Sequence, residues 1–361
     1  MTLELQGVAK AVGARVHIHP TNLVLRKGSL NVLLGPTLSG KTTLMRLMAG
    51  LDQPTAGRVL WEGRDVTGVR VQDRGVAMVY QQFINYPSMT VFDNIASPLR
   101  LQGLPRADIE SRVRRAADLM RLTPYLSRKP LELSGGQQQR TALARALVKE
   151  AGLVLLDEPL ANLDYKLREE LRAEIPRLFE ESGAVFVYAT TEPEEALLLG
   201  GHTATLWEGR VTQFGPTAEV YRAPVDAVTA RVFSNPPMNI LDLRKDGDRL
   251  LFGAGEAAVP ARLGTLPDGP YRAGFRAHHL GLDRPAGEAL AFQATVLGAE
   301  ITGSETFLHL DHTGARWVGL LPGVRPLAPG TPVAVWLDAA HLHLFDAGGR
   351  RIGPSPEPMA A

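Results

Sequence analysis

Cysteine is absent from all 361 residues, which removes disulfide scaffolds, thiol catalysis, iron–sulfur clusters and cysteine-ligated zinc from consideration. A surplus of one charge is also lacking. Lys and Arg number 39 against 38 Asp and Glu, a formal net charge of +1, so no nucleic acid or other polyanionic partner is expected. No stretch reaches the roughly 18 apolar residues of a membrane-crossing helix; the uncharged run from Val76 to Phe92 is broken by Gln, Asn, Tyr and Pro. The opening Met1-Thr2-Leu3-Glu4-Leu5 has neither the basic segment nor the apolar core of a signal peptide. The expectation is a cytosolic chain whose link to a membrane runs through another subunit. Fixed-period repeats and low-complexity tracts are missing too, and the length suggests roughly two domains.

What is present begins with alternation. Through about residue 235, short apolar strands alternate with amphipathic helices, the pattern of a parallel α/β sheet. Leu30–Leu34, Gly152–Leu156 and Val185–Ala189 are continuous apolar runs, as strands covered on both faces should be. Between about 82 and 135 the strand signal lapses, and Ile109–Leu122 shows helical spacing, so a helical insertion is expected there. From 236 to 361 short β-rich pieces separated by Gly, Pro and Asp predict a small all-β, OB-like barrel. Residues 354–361 read as a frayed tail, and Pro176 should kink the helix expected over 164–181.

Gly35-Pro36-Thr37-Leu38-Ser39-Gly40-Lys41-Thr42, with Thr43 beyond it, follows one of those strands and opens a helix. A chance glycine-rich turn would explain the octapeptide alone, but the strand–loop–helix setting is what phosphate binding needs. Glycines let backbone N–H groups turn inward, the helix end favours an anion, Lys41 reaches the β and γ phosphates, and the Thr42 hydroxyl suits Mg²⁺. About 110 residues on, Leu153–Leu156 runs into Asp157-Glu158. A strand ending in two acids is commonplace; paired with the phosphate loop, it offers Asp157 to Mg²⁺ and Glu158 to polarise a water in line with the γ-phosphate.

Ser134-Gly135-Gly136-Gln137 is a capping box opening a helix expected over 137–149. Two glycines behind the cap bare the N–H groups of a positive helix end, a second anion site. With this segment the chain resembles the ATPase subunits of ABC transporters, over nearly its whole length. The resemblance implies two ATPs sandwiched head to tail between two such subunits, each ATP held by one subunit's phosphate loop and the other's Ser134–Gln137 turn. It also places Gln81 as a Mg²⁺-sensing glutamine, Ala161–Asp164 at the dimer seam, and the surface around Asn85-Tyr86-Pro87 against the membrane subunits. The C-terminal part around 274–280 resembles the regulatory TOBE barrel of importer ATPases for sugars, polyols and glycerol phosphates; residues 79–87 and 190–193 look most like glycerol-import subunits. The implied partners are two transmembrane permeases, a second ATPase subunit and, indirectly, an extracytoplasmic solute-binding protein, at the cytoplasmic face of the inner membrane. His278 and His279 are read as structural.

Two positions depart from the family. Thr191 stands where these ATPases carry a histidine that contacts the γ-phosphate and the attacking water. Its hydroxyl donates a hydrogen bond but holds no charge near neutrality. Val12 occupies the place of an aromatic that stacks on adenine, with His17 or His19 as substitutes. Both lesions fall on the phosphate-loop face, whereas the Ser134 turn is intact. The expectation is therefore a heterodimer with a related ATPase; the alternatives are a homodimer in which Thr191 suffices beside Glu158, and a soluble ABC ATPase with no role in transport.

Overall fold

The computed structural model describes residues 2–161, 163–253 and 255–353; Asn162 of the expected dimer seam and the expected tail over 354–361 lie outside them. Two compact units divide the chain, the first ending at Thr217 and the second beginning at Ala218.

The first unit runs β1 (Thr2–Val12), β2 (Arg15–Arg26), β3 (Leu30–Leu34), α1 (Lys41–Ala49), β4 (Ala56–Trp61), β5 (Arg64–Asp65), β6 (Val76–Val79), α2 (Val91–Leu101), α3 (Arg106–Leu119), α4 (Gly135–Leu147), β7 (Leu153–Asp157), α5 (Tyr165–Ser182), β8 (Val185–Thr190), α6 (Pro193–Leu199), β9 (His202–Trp207) and β10 (Arg210–Pro216). A six-stranded sheet has the order β10-β9-β3-β8-β7-β6, parallel except for the β9–β10 hairpin. Every residue of β3, β7 and β8 is buried, which is why these strands read as unbroken apolar runs. Their register sets Leu34 opposite Thr190 and Asp157 opposite Ala189. The segments leaving β3, β7 and β8 thus emerge side by side at one edge, where open α/β sheets hold ligands.

A second sheet, β2-β1-β4-β5, is antiparallel and does not follow from the parallel α/β pattern. Its mark is the alternation of buried and exposed residues along β2, as in a sheet with one face to water. No strand interrupts the helical stretch between β6 and β7. Helix α4 starts at Gly135, two residues before the expected Gln137. Pro176 lies inside α5, where its ring removes one backbone hydrogen bond.

In the second unit, strands from Asn239–Asp246 to Arg351–Ile352 form two antiparallel sheets of six and five strands around one core. Phe275 and Phe292 meet Trp317 edge to face at 5.0 and 5.1 Å, an arrangement that adds attraction to the burial. Nearby, the His279 ring stacks on His341 at 4.2 Å, and among the described residues no group of His, Asp and Glu is arranged to hold a metal ion.

The buried Arg276 approaches His343 Nε2 through Nη1 at 3.0 Å and donates from Nη2 to the Tyr221 carbonyl at 2.6 Å. Burial first, then the Arg276 charge, lowers the His343 pKa to about 3. The unfolded chain regains the ordinary value near 6.5 and so binds the extra proton at acidic pH. The stability that a neutral His343 provides is complete above pH 6.5 and declines as pH falls toward 3, by up to ~1.4 kcal/mol per unit. Between pH 7 and 5 the loss from this side chain should be about 2 kcal/mol, read as a drop in the urea midpoint. His343→Gln, which keeps an acceptor for Arg276 but does not titrate, should flatten that dependence; coincident profiles would contradict the assignment.

Candidate functional site

The loop from β3 to α1 owes its path to two glycines. A Cβ on Gly35 would lie 2.5 Å from both the Leu206 carbonyl and Ser39 Oγ. Gly40 has φ 104°, and a Cβ there would meet Ile18 Cδ1 at 2.8 Å. Gly40 is also the cap of α1 and brings no side chain to its leading N–H groups, so the positive helix end is left for an anion. Lys41, only 5% exposed, arches back over the loop and donates to the carbonyls of Gly35 at 2.7 Å and Pro36 at 3.1 Å. Ser39 Oγ is buried there with no hydrogen-bond partner, an orphaned donor of the kind a phosphate oxygen satisfies.

The acidic pair arrives from β7. Thr42 Oγ1 donates to Asp157 Oδ2 at 2.7 Å, which sets a hydroxyl and a carboxylate together. Burial raises the Asp157 carboxyl above its ordinary pKa, against the pull of the Thr42 hydrogen bond and Lys41. Burial likewise lowers the Lys41 ammonium, against Glu158 and Asp157. The Thr42 hydroxyl and the Asp157 carboxylate, brought together there, are hard oxygen donors of the kind that suit a small divalent cation.

Glu158 follows with φ 48°, a left-handed conformation that costs a side-chain-bearing residue about 1–2 kcal/mol. Its N–H donates to the Ala189 carbonyl at 3.0 Å, and that tie to β8 holds the strained turn. Such strain gathers at functional sites, and here it aims the carboxylate inward. One Glu158 oxygen accepts from Gln81 Nε2 at 2.9 Å; the other lies 3.7 Å from Lys41 Nζ. Pro36, Thr37, Leu38, Ser39, Gly40, Lys41, Thr42 and Thr43 join Gln81 and Glu158 around one cleft of about 730 Å³.

Thr191 is exposed and is not among the residues lining that cleft. Its neighbour Thr190 is occupied elsewhere, donating to Glu195 Oε2 at 2.6 Å, while Tyr188 and Arg172 also bind that buried carboxylate. Val12, 60% exposed, and His19 do not line the cleft, whereas His17, Arg15 and Trp207 do. Trp207 carried no signal in the sequence, because only the pairing of β9 with β3 brings it beside the loop. The Glu195 cluster was equally hidden, since no local pattern pairs residue 172 with 195.

Ser134 forms both arms of its capping box. Its Oγ accepts from the Gln137 N–H at 3.3 Å, and its own N–H donates to Gln137 Oε1 at 2.9 Å. Ser134 and Gly135 are exposed, so the turn presents itself outward and is not part of the cleft of its own chain. No helix among the described residues is long and apolar enough to cross a membrane.

A family profile described as ABC transporter matches residues 18–161, and one for the TOBE domain matches 273–345. The trehalose/maltose import ATP-binding protein MalK of Thermococcus litoralis is 37% identical over 95% of this chain and 97% of its own. The sn-glycerol-3-phosphate import ATP-binding protein UgpC of Burkholderia mallei is 38% identical over 97% and 99%. Among solved structures, the dimeric post-hydrolysis state of the ATP-binding cassette MJ0796 bound to ADP and Pi covers 60% of this chain and 98% of its own, with TM-score 0.55 and 28% identity. A phosphate loop and an acidic strand end on one sheet, a glycine-bearing helix cap in the helical stretch between them, and a TOBE barrel after them thus accompany similarity along the whole length. The chain belongs to the ATP-binding subunits of the ABC transporter family and is an ATPase of that type.

Proposed function

We propose that this chain is the energy-coupling subunit of an importer, held at the cytoplasmic face of the inner membrane by two permease subunits and served indirectly by an extracytoplasmic solute-binding protein. Full-length similarity to import proteins for trehalose/maltose and for sn-glycerol-3-phosphate supports a sugar, polyol, glycerol or glycerol phosphate as cargo. The observation that carries the reading is the meeting of Lys41, Thr42 and the Gln81–Glu158 pair in one cleft, with buried Asp157 behind it hydrogen-bonded to Thr42. ATP would lie along the loop, its β and γ phosphates against Lys41 and the backbone N–H groups at the start of α1. Mg²⁺ would be held by Thr42 and Asp157 with Gln81 nearby, and would neutralise phosphate charge. Glu158, oriented by Gln81, accepts the proton of the attacking water.

The pairing of subunits follows from Thr191. A second ATPase carrying the usual histidine would complete turnover at a site built from its own phosphate loop and this chain's Ser134–Gln137. This chain's cleft would then mainly bind ATP. The homodimer reading rests on Glu158, which is oriented by Gln81 as a working base would be.

Deleting the gene should reduce uptake of radiolabelled maltose, glycerol or sn-glycerol-3-phosphate by at least about tenfold for one of them, and re-expression should restore it. Unchanged uptake across these and a panel of other sugars and polyols would contradict the proposal.

A further inference from the structure

The cleft extends past the phosphate loop, and its far wall is made of β2 and the β9–β10 hairpin: Arg15, Val16 and His17 on one side, Trp207, Glu208 and Gly209 on the other. That hairpin is fastened to the loop itself. The Gly209 N–H donates to the Ser39 carbonyl at 2.9 Å, and the Gly209 carbonyl accepts from the His19 N–H at 2.9 Å. The fit allows no more than a glycine, since a Cβ at 209 would lie 2.3 Å from the His17 carbonyl and φ is 74°. Two residues earlier, at the end of β9, Trp207 sits half-buried on the cleft wall.

An aromatic residue lining a triphosphate cleft, two residues from a turn tied to the phosphate loop, has an evident use. Planar bases stack on aromatic faces whatever their hydrogen-bonding edge, and a stacking surface fixed in place costs little order on binding. Position 12 offers none: Val12 is an exposed aliphatic off the cleft wall.

We propose that Trp207 is the base-stacking residue of this nucleotide site, supplied by the β9–β10 hairpin and held in register with the phosphate loop through Gly209 and Ser39. This rests on the reading of the cleft as an ATP site. The purine lies against the indole while Lys41 and the α1 terminus take the phosphates. Trp207 is thus a binding residue for the base and has no part in bond cleavage.

Calorimetric titration of the purified full chain with ATP and with inorganic tripolyphosphate tests this. Trp207→Ala should weaken ATP about tenfold, leave tripolyphosphate within about twofold, and Trp207→Phe should recover most of the ATP affinity. Lys41→Ala should weaken both ligands. An unchanged ATP affinity in Trp207→Ala, or an equal loss for ATP and tripolyphosphate, would overturn the stacking role. Failure of the unmodified chain to bind either ligand would instead overturn the reading of the cleft as a phosphate site, and the stacking role with it.

Discussion

In the assembled importer, Gly135→Asp in this chain should lower ATP turnover by about 10² to 10³, the usual effect of losing a preorganised donor at developing charge. The substitution suits the fold. A Cβ at 135 meets nothing closer than Phe83 Cζ at 4.0 Å, and an acid in the first turn of α4 favours the helix end. Loss of activity would therefore report on the ligand facing that turn: a carboxylate set where N–H groups should meet a phosphate repels it. Glu158→Gln in the same chain should change turnover by less than about threefold, because the proposed heterodimer assigns most hydrolysis to the partner's loop and the partner's own base. ATP turnover of the reconstituted assembly, one substitution at a time, gives both values. A large and equal loss from each would favour the homodimer.

The asymmetry between those two substitutions reflects which parts of the site are local. Residues 35–43 were legible because their chemistry lies within one strand, loop and helix, where glycine, lysine and threonine act at fixed spacing. The Ser134–Gln137 box was legible for the same reason, as an i to i+3 pattern. The contacts that join these pieces were not. Lys41 meets Glu158, and Thr42 meets Asp157, only because β3 and β7 flank β8 in register, and register is a property of the whole sheet. Trp207 shows the limit most plainly. On its own strand it ends the run His202-Thr203-Ala204-Thr205-Leu206-Trp207, which matches no binding pattern, and its place on the cleft comes from the pairing of β9 with β3. The antiparallel sheet of β1, β2, β4 and β5 was missed because the long alternating strands sit among helices that dominate the pattern. The β-rich character beyond residue 236 was legible from punctuation by Gly, Pro and Asp, whereas the Arg276–His343 contact joins side chains 67 positions apart.

Thr191 concentrates the account in one side chain. The β8 strand that delivers it is fully buried and tied to both halves of the site, through the Thr190 carbonyl to the Gly35 N–H at 3.3 Å and through the Ala189 carbonyl to the Glu158 N–H. Thr191 follows directly on that strand, exposed and outside the cleft lining of this chain, so under the proposed reading a short neutral hydroxyl stands where a longer side chain is needed to reach the γ-phosphate. Histidine at 191 would extend the reach and supply a ring N–H donor and a titratable charge. The gain in transition-state stabilisation is of the order of one added donor, about 10² in rate, with ATP affinity nearly unchanged because the loop is untouched. The decisive measurement is the steady-state ATP turnover of the purified chain alone, with and without Thr191→His. Slow turnover that rises about a hundredfold in the histidine variant is the predicted result; brisk turnover by the unmodified chain, unaffected by the substitution, would contradict it.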